Sequence, residues 1–300
     1  MTVHARKRVS IPGDRVDVSV SKGLSAADPR SAATRARSDE APPEEQFVAG
    51  VLPREASGVC PRRGASERKM WAVAGGKGGV GKSLLAVNLA MALTRQGLRV
   101  LLVDGDLGGA NLHAMIGMSG TGRTLGQLLQ GQWPDLSTIM QPTRFEGLEL
   151  VVGSAGVLGV ADQPREKLLD LASLLRRSEA DVVLLDLGSG ASYGTLDLFL
   201  AADVQMVVST PEPTSIQNVH GFVKCALGRA HDVGASEHFA PQLVVNRADA
   251  GTARCCHRAI AALTERFLGR SLPLLGHLRH DALAESSVLQ QVPVMVLDPG

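Results

Sequence analysis

The sequence is poor in aromatic residues and has no excess of either charge. Two Trp, one Tyr and six Phe among 300 residues are too few for a surface that stacks the bases of single-stranded nucleic acid. The 31 Lys and Arg residues nearly balance the 30 Asp and Glu residues, so net charge favours neither nucleic acid nor an anionic membrane. We therefore do not expect nucleic acid as a partner.

Long apolar runs and cysteine metal motifs are also missing. No stretch approaches the ~20 apolar residues that a transmembrane segment needs, and no apolar run follows the basic N-terminus as in a secretory signal. Cys60, Cys225, Cys255 and Cys256 form no C-x-x-C pair, and adjacent Cys255 and Cys256 are poorly spaced for one metal ion. We expect free thiols and a cytoplasmic location.

Residues 1–69 differ in composition from the rest of the chain. Pro, Gly, Ser, Ala and Arg recur there without sustained apolar runs, which predicts a disordered N-terminal tail. Residues 1–70 hold 13 Lys or Arg and 9 Asp or Glu, which leaves 18 and 21 for residues 71–300. A mildly basic tail therefore precedes a mildly acidic domain, which we predict to span residues 70–300.

From Met70 onward, apolar runs of strand length alternate with amphipathic segments of helix length. Strand candidates begin at residues 70, 99, 148, 181, 204 and 242, and helix candidates lie at about 84–95, 164–178, 214–230 and 252–269. Continuous Val and Leu runs are typical of strands buried on both faces. The order predicts a three-layer α/β fold, in which helices cover both faces of a mostly parallel central sheet.

A glycine-rich loop lies between the first predicted strand and the first predicted helix. Its sequence satisfies the P-loop pattern G-x-x-x-x-G-K-[ST] in the strand–loop–helix setting that the pattern requires. Backbone N–H groups of such a loop and the N-terminus of the helix bind phosphate oxygens. Lys82 is predicted to contact the β- and γ-phosphates, and the Ser83 hydroxyl to ligate Mg²⁺. The predicted binding residues are Gly76, Lys77, Gly78, Gly79, Val80, Gly81, Lys82 and Ser83.

Three carboxylates follow strands at the same predicted edge of the sheet. Asp104 and Asp106 end the second strand, and Asp186 ends the apolar run 182–186. Ligands of open parallel sheets bind at the carboxyl ends of the strands, where the loop also lies. One of the first two carboxylates could orient water while the other holds the magnesium shell, and Asp186 has the Walker B position, from which it would reach Mg²⁺ through water.

A second lysine lies inside the loop, and simple phosphate binding does not need it. Lys77 precedes Lys82 by five residues. Together with the stretches 103–113, 185–192, 209–216 and 244–247, this two-lysine loop resembles the MinD/ParA family of P-loop ATPases with a deviant Walker A loop. The resemblance covers residues 70–299, and within the family it is greatest to the FlhG/FleN branch of regulators of flagellar number.

The resemblance implies a function. ATP and Mg²⁺ are the implied cofactors, and the implied state is an ATP-dependent homodimer. The implied activity is slow ATP hydrolysis that controls the position or number of a cellular structure such as the flagellum, together with a protein partner such as a flagellar GTPase or a transcription regulator. Members of this type also end in an amphipathic membrane-targeting helix. Residues 281–291 contain no Lys or Arg and are predicted to form a packed helix, so peripheral membrane association is not supported.

The resemblance also implies roles for individual residues. Lys77 would reach the ATP of the other subunit, as an arginine finger does, so that hydrolysis depends on dimerisation. Asp106 would position the attacking water, supported by Asp104. The remaining implied roles are metal binding by Ser83 and Asp186 and adenine contact by Asn246 and Arg247.

Three alternatives stay open at this point. A DNA or cargo partitioning ATPase would need a basic surface, and the acidic balance of residues 71–300 argues against it. A nucleotide-sensing scaffold would bind a regulator with little hydrolysis, and the complete set of aspartates argues against it. A dehydrogenase is less well supported, because a dinucleotide fingerprint does not require Lys82 and Ser83.

Overall fold

The fold is known from a computed structural model that describes residues 69–107, 109, 111–119, 122–154 and 163–298. The predicted tail lies outside these residues except for Lys69, which is the first residue of a strand rather than the last residue of a tail. Within the described residues, none of the helices combines the length and the apolar character needed to cross a bilayer.

The described residues form one sheet of eight strands in the order β3-β4-β2-β5-β1-β6-β7-β8. Antiparallel pairing occurs between β3 and β4, and the other neighbouring pairs of described strands are parallel. The strands are β1 (Lys69–Gly75), β2 (Val100–Gly105), β3 (Met140–Pro142), β4 (Leu148–Val151), β5 (Val182–Ser189), β6 (Val204–Ser209), β7 (Gln242–Val245) and β8 (Leu274–His277).

Helices cover both faces of the sheet. One face carries α1, α2 and Met295 of α9, and the other carries the helices from α3 to α7. The helices are α1 (Lys82–Thr94), α2 (Leu112–Met115), α3 (Leu125–Leu129), α4 (Arg165–Arg176), α5 (Tyr193–Leu200), α6 (Pro213–Asp232), α7 (Ala250–Leu268), α8 (Leu283–Gln290) and α9 (Val294–Leu297). The predicted three-layer α/β fold is thereby confirmed.

The central strands are buried along nearly their whole length, as the continuous apolar runs predict. All six residues of β2 and the first seven of β5 are buried. The parallel register pairs Asp104 of β2 with Asp186 of β5, and β1 lies on the other side of β5. This register brings both carboxylates to the edge of the sheet at which β1 ends and α1 begins.

The C-terminal region differs from its prediction. Residues 281–291 do contain a helix, α8, but the packing expected of its apolar side chains is incomplete. Leu289 is 85% exposed and Val288 is 49% exposed, and Ser287 is the buried residue of this helix. The expectation of a packed helix was therefore wrong for half of its apolar side chains, because α8 lies at the periphery and contacts mainly α9.

Candidate functional site

The turn between β1 and α1 forms a positive site at the centre of the sheet edge. Residues 76–81 make the turn, and Gly81 caps α1 with φ 95°, a left-handed conformation that side chains rarely allow. The first turn of α1, which is described throughout, carries no acidic residue. The helix N-terminus and Lys82 therefore both attract anions, as the sequence predicts for this loop.

Lys82 is the buried cation of this turn. It is only 8% exposed, and its Nζ donates to the carbonyl oxygen of Lys77 at 3.4 Å. Burial lowers the pKa of Lys82, while the charges of Asp186 and Asp106 act in the opposite direction. The structure thus brings Lys82 together with Asp186 and Asp106, two of the three predicted carboxylates.

Asp186 lies at the floor of the site with an unsatisfied oxygen. It is 2% exposed, and its Oδ1 has no hydrogen-bond partner among the described atoms. Burial raises the pKa of the Asp186 carboxyl to about 7, and a hydrogen bond from the Ser83 hydroxyl acts against this rise. A buried carboxylate oxygen without a partner, next to a hydroxyl, fits the oxygen ligands that Mg²⁺ prefers.

Asp104, the neighbour of Asp186 across the strands, is fully engaged by backbone N–H groups. Its Oδ2 accepts from Asn111 at 2.9 Å and Leu112 at 3.0 Å, and its Oδ1 accepts from the N–H of Asp106 at 3.3 Å. Burial raises the pKa of Asp104 to about 6, and these N–H groups limit the rise. Asp104 therefore holds the loop after β2, including Asp106, in place.

Asp106 lies at the mouth of the site, against the backbone that follows Asp186. Its Oδ1 accepts from the N–H of Gly109 at 3.0 Å. A Cβ atom on Gly188 would approach the same Oδ1 to 3.1 Å, so glycine at 188 makes room for this carboxylate. Sequence reasoning could not find this role, because Gly188 and Asp106 meet through the pairing of β2 with β5.

Lys77 is turned away from the loop and toward the start of α6. Its Nζ donates to Oε2 of Glu212 at 2.6 Å and to Oγ1 of Thr214 at 3.2 Å. The pair is open to solvent, since the Lys77 side chain is 36% and the Glu212 side chain 51% exposed. The Lys77 hydrogen bond holds the pKa of Glu212 below its ordinary value. Sequence reasoning missed both partners, although they lie in the stretch 209–216 that carried the resemblance.

Asn246 and Arg247 follow β7 at the side of the loop. Asn246 is 9% exposed, and its Nδ2 donates to the carbonyl oxygen of Val80 at 2.8 Å. Its Oδ1 accepts from the N–H of Arg247 at 2.9 Å, and Arg247 itself has φ 57°. Asn246 thus borders the glycine-rich loop, and the contact of Asn246 and Arg247 with adenine stays a prediction.

Comparison with known proteins gives a family match across the loop and the site. The family model described as "ParA: NUBPL iron-transfer P-loop NTPase" matches residues 66–228, more than half of the chain. Its description mentions iron. Within the described part of the chain, no three His, Cys, Asp or Glu residues group as a metal site, and Cys225, Cys255 and Cys256 are free thiols.

Individual relatives point to the regulators expected from the sequence. The antiactivator FleN of Pseudomonas aeruginosa is 28% identical over 222 residues, which cover 73% of this chain and 76% of FleN. The flagellum site-determining protein YlxH of Helicobacter pylori is 30% identical over 164 residues, which cover 52% of this chain and 53% of YlxH. The septum site-determining protein MinD of Pyrococcus horikoshii, solved with Mg-ADP, has TM-score 0.63 at 23% identity, covering 77% of this chain and 89% of that structure.

Proposed function

Because the chain belongs to the MinD/ParA family of P-loop NTPases, we propose that it is a switch that dimerises with ATP and hydrolyses it to ADP and phosphate. The similarity to FleN supports the FlhG/FleN branch. The ATPase domain in this proposal comprises the predicted residues 70–300 together with Lys69, and residues 1–68 are an appended tail.

One observation carries the proposal. Lys77 lies within the glycine-rich loop, yet its Nζ donates a hydrogen bond of 2.6 Å to Oε2 of Glu212. A lysine that serves its own phosphate site would point inward, as Lys82 does. Since Lys77 is half-exposed, it is available to a second subunit. In the dimer we expect it to leave Glu212 for the phosphates of the partner's ATP, whose charge is greater than that of one carboxylate.

The other residues of the site take roles that fit their surroundings. The N–H groups of residues 76–81 and the Lys82 ammonium bind the phosphates of ATP. Ser83 and Asp186 would hold Mg²⁺. When bound, the metal neutralises charge on the phosphate oxygens. Because one oxygen of Asp186 has no partner among the described residues, it can accept a hydrogen bond there without losing an existing bond.

Asp106 positions the attacking water, and its own place is fixed by Asp104, Gly109 and Gly188. The water oxygen forms a bond to the γ-phosphorus while the bond from that phosphorus to the β,γ-bridging oxygen breaks. The products are ADP and phosphate, and the proton of the water leaves with phosphate or solvent. Loss of the γ-phosphate from the ATP of one subunit removes the anion that Lys77 of the other subunit contacts, so the dimer separates.

The cellular role proposed is control of the position or number of a structure such as the flagellum. The named roles of FleN and YlxH support it. The switch would act through a protein partner, either a flagellar GTPase or a transcription regulator, that binds the ATP form. Deletion of the gene should change flagellar number or placement, and complementation by Asp106→Ala should fail to restore it. A deletion strain with unchanged flagella would contradict this role.

Phosphate release from ATP tests the proposed activity. We expect slow turnover by the full chain with Mg²⁺, a loss of at least about 100-fold in Asp106→Ala, and unchanged turnover in Asp170→Ala, an exposed residue of α4. A wild-type chain that binds ATP but releases no phosphate even in a single-turnover reaction would favour the nucleotide-sensing scaffold instead.

One observation favours a second candidate, a DNA-associating partitioning ATPase. Arg254, Arg258 and Arg266 are exposed on α7, Arg270 follows that helix, and none of the four forms an ion pair with another described residue. Such a basic face could bind phosphates of DNA without sequence preference. A salt-sensitive, ATP-dependent gel shift that Arg254→Glu/Arg258→Glu abolishes would support this candidate, and no shift at low salt would exclude it.

A further inference from the structure

Asn246 has both atoms of its side-chain amide engaged within the chain. The nitrogen donates to the Val80 carbonyl at 2.8 Å, and the oxygen accepts from the Arg247 N–H at 2.9 Å. The backbone N–H of Asn246 donates to Ser209 of β6 at 2.8 Å. Asn246 is therefore fixed to the sheet by its backbone and to the nucleotide loop by its side chain.

The contact with the loop is tight enough to restrict the sequence there. A Cβ atom on Gly81 would lie 2.2 Å from Nδ2 of Asn246, which is closer than any real contact allows. Gly81 also needs its left-handed φ of 95°. The amide of Asn246 thus occupies the space beside Gly81 that a side chain would otherwise fill.

The hydrogen bond from Asn246 to the Val80 carbonyl sets the direction of the next N–H group of the loop. The peptide bond is planar and trans, so the direction of the Val80 carbonyl fixes the Gly81 N–H in the opposite direction. Gly81 and Lys82 are the residues at which the loop passes into α1. Holding the Val80 carbonyl toward β7 therefore holds an N–H group of the loop toward the opposite side, away from Asn246.

We propose that Asn246 is a positioning residue of the phosphate site: its amide ties Val80 to the end of β7 and so pre-orients the loop for any polyphosphate, with or without a base. This inference rests on the proposed nucleotide binding. It is distinct from the adenine contact that the resemblance implies, because the bond to Val80 orients the loop whether or not a base is bound. Preorganisation of this kind raises affinity by removing the ordering that binding would otherwise require.

Inorganic tripolyphosphate separates the two roles, because it has phosphates and no base. Full-length wild type and Asn246→Ala would be titrated with ATP and with tripolyphosphate by calorimetry. Loss of one hydrogen bond predicts that both ligands bind roughly three- to ten-fold more weakly to Asn246→Ala, with the ratio of their dissociation constants unchanged. Amide exchange at Gly81 and Lys82 should also become faster in the unliganded variant.

A matched control is available on α1. Asn88 likewise uses both amide atoms, donating to Leu84 at 2.8 Å and accepting from Met295 at 2.9 Å, but it lies away from the loop. Asn88→Ala should leave tripolyphosphate binding unchanged. If Asn246→Ala fails to fold, Asn246→Leu keeps a side chain of similar shape without a charge and removes the donor to Val80.

Two results would overturn the positioning role, and a third would overturn the proposed function. Weaker ATP binding with unchanged tripolyphosphate binding, or no change in either, overturns the positioning role. The former result restores the adenine contact. A wild-type chain that binds neither ligand instead contradicts the proposed function, so the two failures are distinguishable.

Discussion

Asp104 and Asp186 are paired across β2 and β5, and both are buried carboxylates, yet their surroundings differ. Asp104 accepts three backbone N–H bonds, whereas Asp186 keeps one oxygen without a partner among the described atoms. The first carboxylate completes the fold, and the second is left for a ligand. Position at the end of a strand therefore does not distinguish a structural aspartate from a binding one. The hydrogen-bond partners do.

The largest expected effect follows from substitution of Asp186, the carboxylate with one oxygen that has no partner among the described atoms. Asp186→Asn removes the charge that faces Mg²⁺, so ATP hydrolysis should fall by about 100-fold or more while the fold is retained. Phosphate release across a Mg²⁺ titration would measure it, with circular dichroism as a check of folding. Turnover within a few-fold of wild type would mean that the unpartnered oxygen does not serve the metal.

A loss of stability is expected from substitution of Asp104, whose oxygens accept three backbone N–H bonds. Asp104→Ala leaves three backbone N–H groups without their acceptor, two of them at the start of α2, so unfolding free energy should fall by about 2–4 kcal/mol. Urea unfolding would measure the loss. Asp186→Asn is the matched control, and it should be as stable as wild type because it removes a buried charge. Equal losses in both variants would erase the distinction between the two sites.

Acid should stabilise the ligand-free protein in one window. The two carboxyls titrate near pH 4 in the unfolded chain but have pKa values of about 6 and about 7 when folded. Between about pH 4 and pH 7, the folded state thus binds more protons than the unfolded chain does. Stability should rise, by up to about 4 kcal/mol, as pH falls from 8 to 5. Asp186→Asn should reduce that rise, and urea midpoints that fall toward pH 5 would contradict it.

The smallest expected effect concerns the exposed pair at α6. Glu212→Gln removes the negative charge that faces Lys77 and should change stability by less than about 1 kcal/mol, because both groups are solvated. It should nevertheless favour the ATP-bound dimer, since Lys77 no longer has to leave a carboxylate. Sedimentation at several protein concentrations would detect this, with Glu179→Gln, another exposed acid, as control. A weaker dimer would show that Glu212 is needed in the dimer as well.

Much of the framework could be predicted from local sequence. The glycine pattern before Lys82 predicts a strand, a turn and a helix, and the apolar runs before Asp104 and Asp186 predict buried neighbouring strands. Some short elements were missed, because a run of four or five residues carries little periodicity, although β4 and β7, which are equally short, were predicted from their Val and Leu residues. The strand β8 and the helices α2 and α3 are examples.

The contacts that define the site could not be predicted, since they join distant parts of the chain. Lys77 and Glu212 are 135 residues apart, and Asn246 and Val80 are 166 apart. Only the parallel pairing of the strands brings these residues to one edge. The same is true of the difference between Asp104 and Asp186, which arises from the path of the loop after β2.

ATP is expected to join two copies of this chain through Lys77. Light scattering after gel filtration, with saturating ATP and Mg²⁺, tests it on the hydrolysis-deficient Asp106→Ala protein. The expected mass is twice the 31.5 kDa of one chain, and Lys77→Ala in the same background should remain at the mass of one. A monomer in both proteins, or a dimer that persists without Lys77, would contradict the claim.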